Sequence, residues 1–187
     1  VRDNLDVYAF HIDVPADVKA IDVDYQYVTP TDNNQGRILA TPDMASIQWI
    51  ANSRYPAGYY VRDIPVQASL IVPQGWHVAT ALRPSGQTSN RIDYPTTSYE
   101  ILMDSPAIAG AHYRKVPLSP DVTLDVIADN EHELEMKPEQ IAAHKRLVEQ
   151  AVKTFGSQHY NHYDFLFTIS DLLGGEGLEH HRSSEDG

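Results

Sequence analysis

The chain has 187 residues and 20.9 kDa, with 42% hydrophobic and 21% charged side chains, enough to bury one large core or one small domain with part of another. Its formal charge of −12 argues against nucleic acid or an anionic membrane surface as partner, and no apolar run reaches the roughly 18 residues of a membrane span. With no cysteine there are neither disulfides nor thiolate metal sites, so periplasmic and cytoplasmic settings are both compatible and localisation stays open.

The acid is unevenly spread. Residues 119–187 carry five Lys or Arg against fourteen Asp or Glu, and residues 1–118 carry nine against twelve. This shift near Leu118-Ser-Pro120 marks the expected boundary between a first unit, 1–118, and a second, 119–187. Most of these charges read as a solvated face, although an acidic face also favours a cationic ligand such as a peptide's free amino terminus. The opening Val1-Arg-Asp-Asn4 has no methionine, basic n-region or apolar h-region, so no export signal is visible, an absence that is uninformative in an internal fragment, which this chain is expected to be.

From the amino end, residues 7–28 alternate with period two. Val7 and Ala9 oppose Tyr8, Phe10 and Ile12, and Ile21, Val23, Tyr25 and Tyr27 interleave with Asp22, Asp24 and Gln26. Period two with β-branched and aromatic residues predicts two neighbouring antiparallel strands, with Pro15-Ala-Asp17 as the turn. Residues 29–43, with Pro30, Asp32, Asn34, Gly36 and Pro42, are loop chemistry. Further strands are expected over 45–50, 61–72, 76–82, 97–103, 111–117 and 122–128. Pro65 sits at the start of its strand, where a missing N–H is best tolerated. Several short strands separated by turns predict a β-sandwich-like unit.

The period then changes. From Pro138 onward Ile141, His144, Leu147 or Val148, Ala151 or Val152, and Phe155 recur three or four apart, which is one apolar face of a helix. Pro138 suits the first helical position, Glu139 the positive end and Gly156 the stop. Residues 159–169 read as a loop entering a buried strand, Phe165-Leu-Phe-Thr-Ile169. An α+β segment thus follows an all-β one. Near the end, Gly174, Gly175 and Gly177 make a turn where backbone bends or a ligand approaches closely, just ahead of Glu179, His180 and His181.

Nine histidines invite a metal hypothesis. Zinc hydrolases commonly present two histidines four apart on a helix with an adjacent glutamate base. The nearest match, His132-Glu-Leu-Glu-Met136, has methionine at the second ligand position and reads as a polar connection. His180 and His181 are adjacent and would face opposite ways on an extended segment. His159 and His162 would chelate only in a particular turn, and His11, His77, His112 and His144 read as packed or exposed side chains. Ser98, Ser105 and Ser183 have no Gly-x-Ser-x-Gly elbow around them.

Tyr163-Asp-Phe-Leu-Phe167 followed by Gly177-Leu-Glu-His-His-Arg-Ser-Ser184 resembles the segment that precedes the zinc motif in the glycyl aminopeptidase family, metallopeptidases with a thermolysin-like catalytic domain. The similarity extends through Tyr55-Pro-Ala-Gly-Tyr-Tyr-Val-Arg-Asp-Ile64 and Asp104-Ser-Pro-Ala-Ile-Ala-Gly110. It implies a β-sandwich-like amino-terminal domain followed by the opening of a thermolysin-like domain, in a hydrolase that removes small N-terminal residues such as glycine or alanine from peptides. Gly187 comes before any His-Glu-x-x-His motif, so zinc is expected in the intact parent and neither metal ligands nor catalytic residues in this chain. The remaining half of the catalytic domain is the partner so implied.

Gly177-Leu-Glu-His180 resembles the Gly-x-x-Glu edge strand by which related zinc aminopeptidases line the substrate backbone and hold its α-ammonium. The resemblance therefore implies substrate contact by Gly177, Leu178 and above all Glu179. Glu176, an extra acid in the turn, departs from the pattern and could compete with or reinforce Glu179. Tyr55, in a Pro–Gly loop, could reach the same cleft, though a plain turn explains it equally well. The competing class is a non-catalytic β-sandwich module that binds a peptide or protein. An unpaired sheet edge or an exposed apolar patch around residues 165–178 would favour the peptidase fragment, since a complete module would have covered it.

Overall fold

Residues 122–128 pair Val122, Leu124 and Val126 on one face with Thr123, Asp125 and Ile127 on the other, and both faces are largely buried. A strand covered on both sides belongs in the middle of a layered structure, and that is its place in the computed structural model, which describes residues 1–175 and 177–187. The strands among them are β1 (Met44–Ile47), β2 (Pro65–Val66), β3 (Ser69–Ile71), β4 (His77–Thr80), β5 (Gly86–Gln87), β6 (Arg91–Asp93), β7 (Thr97–Ser98), β8 (Ala107–Gly110), β9 (His112–Pro117), β10 (Val122–Ala128), β11 (Tyr163–Ile169), β12 (Gly177–Glu179) and β13 (Ser183–Asp186). The helices are α1 (Trp49–Asn52), α2 (Tyr99–Met103) and α3 (Pro138–Phe155). No helix among the described residues is long and apolar enough to cross a membrane.

The second half of the chain builds a five-stranded mixed sheet in the order β12-β13-β11-β10-β9. β10, β11 and β13 run parallel, and β9 and β12 close the two sides antiparallel. Parallel neighbours need a long crossover, and α3 supplies it between β10 and β11. α3 begins at Pro138, where a missing N–H costs nothing. Its first turn is secured by the Lys137 N–H donating to Gln140 Oε1 at 2.8 Å. It ends at Gly156, whose φ of 69° lies in the left-handed region that glycine adopts without strain. Only part of the anticipated apolar face is covered. Val148 is buried and Ile141 packs beside it, while Leu147 and Phe155 stay exposed.

The two faces of this sheet do different work. One carries Val116, Leu124, Val126, Phe165 and Phe167 against α3 and Leu134. The other carries Ile127 and Leu166, which meet Met44, Ala79 and Ile108 from a second sheet, β1-β8-β4. Alternation along β10 and β11 therefore glues α3 to one side and the first half of the chain to the other. The approach is close. A Cβ on Gly110 would lie 2.5 Å from Ile127 Cγ2 and 3.0 Å from the Asp43 carbonyl oxygen. Two small sheets, β2-β7 and β3-β6-β5, complete the β-rich first half, and their core gathers Trp49, Val72, Ile92, Tyr94 and Leu102.

Several local expectations give way to other structure. Residues 11–30 hold no strand, and an isolated bridge joins Arg2 to Phe10. A period-two pattern permits a strand, but a strand exists only where a neighbour takes its N–H and C=O groups. Here Ile21, Val23, Tyr25 and Tyr27 remain about half exposed. The turn does form, with the Val18 N–H donating to Pro15 O. The segment touches the body through Tyr25, whose hydroxyl donates to Asn52 O at 2.6 Å and whose ring lies 5.2 Å from the Arg54 guanidinium.

Residues 45–50 turn from β1 into α1. Residues 61–72 break into a 3-10 turn (Val61–Asp63) and two short strands around Pro65. Residues 97–103 become β7 and then α2, because the Ser98 hydroxyl accepts the Ile101 N–H and starts a helix. The fold class nevertheless follows expectation: a β-rich amino-terminal part leads into an α+β part.

Candidate functional site

β12 is the edge of the five-stranded sheet, paired on one side with β13 through Gly177↔Asp186, Leu178↔Glu185 and Glu179↔Ser184. Its outer side has no neighbouring strand among the described residues, which leaves backbone donors and acceptors open to an extended peptide. Gly177, Leu178 and Glu179 are all exposed. At Gly177 an added Cβ would meet nothing within 4 Å, so the backbone is approachable there. Gly174 and Gly175 are glycine for a different reason. A Cβ would lie 2.7 Å from Arg37 Cγ at the first and 2.9 Å from the Gly187 carbonyl oxygen at the second. Glu176 lies outside the described residues.

Cross-strand pairing sets the directions. Leu178 shares a face with Glu185 and Leu166, toward the first half of the chain, and Glu179 shares the opposite face with Ser184 and Phe165. Leu178 is 43% exposed, and Leu172, six positions earlier in the chain, is 55% exposed. The unpaired edge is one of the two signs anticipated for a surface made to be covered; the other, an exposed apolar patch from 165 to 178, is not met at Phe165 and Phe167, which pack against the core under α3.

The hairpin loop after β12 consists of His180, His181 and Arg182. The His180 N–H donates to Ser183 O at 2.8 Å. The His180 ring, 9% exposed, lies between Asp104 Oδ1 at 3.4 Å from Nδ1 and Glu185 Oε2 at 3.3 Å from Nε2. The Glu185 bond raises the His180 pKa above the usual histidine value, against the opposing pull of burial, and Asp104 adds to the rise. Glu185 is itself 3% exposed, and its other oxygen accepts from Gln48 Nε2 at 2.5 Å and Ser46 Oγ at 3.4 Å. His181 projects outward, with its N–H 3.0 Å and its Nδ1 2.9 Å from Asp104 Oδ2. Sequence reading singled out His180 and His181 but not their partners. Asp104 stood at the head of a family-like stretch without a role of its own and Glu185 in no motif, and the contact to Asp104 spans 76 residues.

Tyr55 is exposed, and its ring packs 5.0 Å from that of Tyr99 on α2. Among the described residues, no hydrogen bond or ring contact joins it to β12. A second polar tie lies deeper between the two halves. Arg83 donates to the buried Asp164 at 3.0 Å, and His162 Nε2 stands 2.9 Å from Ala81 O. Beside it Tyr113 donates to Asp125 at 2.6 Å. Burial, reinforced by that bond, holds the Tyr113 phenol above its ordinary range, and burial likewise raises the Asp125 carboxyl. Arg83, Tyr113, Lys115 and Asp125 line a cavity of about 170 Å³.

No group of three or more His, Asp or Glu among the described residues is arranged to hold a metal ion. Both ring nitrogens of His180 already face carboxylates. Met136 packs against the core that also holds Leu134, and the His159 ring stands edge-on to Tyr160 at 5.0 Å.

The family described as Peptidase M61 N-terminal domain matches residues 2–111, ending one residue before β9. A crystal structure of an aminopeptidase N family protein from Idiomarina loihiensis superposes with a TM-score of 0.59 at 18% identity, over 77% of this chain and 24% of that one. Leukotriene A4 hydrolase from Saccharomyces cerevisiae gives 0.43 at 17% identity, over 64% and 18%. The chain therefore spans about a quarter or less of the length of these proteins. At such identity the first likeness shows a shared fold and says nothing of chemistry. No curated protein sequence matches the chain.

Proposed function

The chain belongs to the Peptidase M61 N-terminal domain family, and on that basis we propose that it is the amino-terminal part of an aminopeptidase whose substrate lies along β12. The single observation that carries this is the exposed edge strand Gly177-Leu-Glu179, which offers open backbone and one carboxylate in a peptidase-family chain. An extended peptide adds to such an edge by main-chain hydrogen bonds. Glu179 then holds the free α-ammonium in a charge-assisted bond of about 1.5–3 kcal/mol, which separates an amino terminus from an internal peptide bond. Gly177 leaves room for close approach, and Leu178 and Tyr55 are the further contacts proposed. Glycyl and alanyl peptides are the proposed substrates. No group of described residues in this chain would hold a zinc ion; were the remainder of such an enzyme to supply the ligands, the metal would serve as a Lewis acid for the scissile carbonyl and for water. This chain contributes positioning alone.

The test is Glu179→Gln in the longer protein that carries this sequence, assayed on glycyl and alanyl chromogenic substrates. KM should rise about 10- to 100-fold, the equivalent of one charge-assisted bond, with a smaller effect on kcat. Unchanged kcat/KM would remove Glu179 from the substrate site.

A further inference from the structure

β12 has three residues, all exposed, and one neighbouring strand. A strand so short cannot hold its own position to the fraction of an ångström that substrate alignment needs. The loop beyond it is tied to firmer ground. Asp104 is the residue that ends α2, with its N–H donating to Glu100 O, and its neighbour Ser105 is fixed on both sides. The Ser105 N–H donates to Leu102 O, and the Ser105 carbonyl accepts from the buried Trp49 indole at 2.8 Å and from Thr80 at 3.3 Å. The Asp104 carboxylate thus stands on a rigid platform in the first half of the chain and reaches the β12–β13 loop from outside it.

We infer that Asp104, His180 and Glu185 form a clasp that positions β12, making Asp104 and His180 positioning residues for the Glu179 site. His180 joins the two halves: one ring nitrogen faces Asp104 after α2, and the other faces Glu185 on β13, directly across from Leu178. The groups that face this cluster are Asp104, Glu185 and His181, with Gln48 and Ser46 behind Glu185.

A neutral imidazole has one N–H, and only the imidazolium donates to both carboxylates at once. The clasp is therefore complete when His180 is protonated. Its pKa is raised in the folded state, so the contribution is full below about 6.5, the ordinary histidine value. It is lost as pH climbs through the higher folded value. The function of the clasp rests on the substrate reading of Glu179, but its existence does not.

The experiment uses the 187-residue chain first. Histidine titration by NMR and hydrogen exchange at the His180 amide, which closes the hairpin to Ser183 O, are compared for wild type, His180→Gln and Asp104→Asn. The expected result is a lower His180 pKa in Asp104→Asn and an exchange protection at His180 reduced about tenfold in both variants. Protection of the central β10–β11 amides should stay unchanged. Asp104→Asn keeps shape at a partly exposed site, so it reads out even if His180→Gln fails to fold.

In the longer protein, KM should rise in both variants with kcat little altered, and the wild-type rise in KM as pH climbs past the ordinary histidine value should be absent from His180→Gln. If exchange and titration do not move, the clasp is overturned whatever the kinetics. If exchange loosens while KM stays put, the clasp stands and the Glu179 reading falls.

Discussion

Gly110 tests how the two halves are joined. Its backbone is not in the left-handed region, so space and not conformation demands glycine there. An alanine Cβ would sit 2.5 Å from Ile127 Cγ2, 3.0 Å from the Asp43 carbonyl oxygen and 3.1 Å from Met44 Cβ. The first contact is far inside van der Waals distance. The second is with a backbone oxygen that already accepts the Ala111 N–H at 2.9 Å, which leaves little freedom to yield. Ile127 and Met44 are both fully buried, so neither side chain has anywhere to go. Overpacking of this kind costs about 1–3 kcal/mol.

Gly110→Ala should therefore lower Tm by about 2–12 °C, at roughly 2–4 °C per kcal/mol for a chain of this length. Ile127→Ala alone should cost about 2–5 kcal/mol. The double variant should cost less than the sum, because the new methyl enters the space vacated at Ile127, with a coupling of about 1 kcal/mol. Urea denaturation of the four proteins measures all three quantities. A Gly110→Ala variant within about 0.5 kcal/mol of wild type, or a double variant that is strictly additive, would refute the close approach of β8 to β10.

Gly177→Ala adds its methyl to open space and should leave Tm unchanged while raising KM in the longer protein, because it stands in the path of the peptide; equal KM would take Gly177 out of the site. Arg83→Ala leaves the Asp164 carboxylate, 1% exposed, without its guanidinium partner, the His162 ring standing 3.9 Å away. Destabilisation of about 1–3 kcal/mol by urea titration is expected, and a loss under about 0.5 would show that the tie contributes little. Gly156→Ala forces a side chain into the left-handed cap at φ 69° and should cost about 1 kcal/mol, with Gly156→Asn costing less. For Asp125 the folded pKa is raised by burial, so wild-type stability falls as pH rises from the ordinary carboxylate value toward the folded one. Asp125→Asn, which can still accept from Tyr113, should therefore be the more stable protein at pH 7, with the advantage fading below about pH 4. Thermal melts across that range check the sign.

Residue order alone reveals features whose causes are local. α3 was legible because its period, Pro138 and Gly156 all act within one or two turns of where they stand, and β10 and the core of β11 because runs of β-branched and aromatic residues suit burial on both faces. The edge-strand motif around Glu179 was legible only through family resemblance, since three exposed residues carry no physical signal of their own.

The remaining features come from packing, because strands and clasps depend on groups far away in the chain. Residues 11–30 have the alternation of strands yet form none, for want of a neighbour to take their backbone groups. Ser98 turned an expected strand into α2 by capping it, and the end of α2 is what places Asp104. His180 stood out in sequence only as the neighbour of Glu179 and His181, without partners. Its role is set by two carboxylates, one on the adjoining strand and one 76 residues earlier, which only the packing of β8 and β4 against β10 and β11 brings to the same loop.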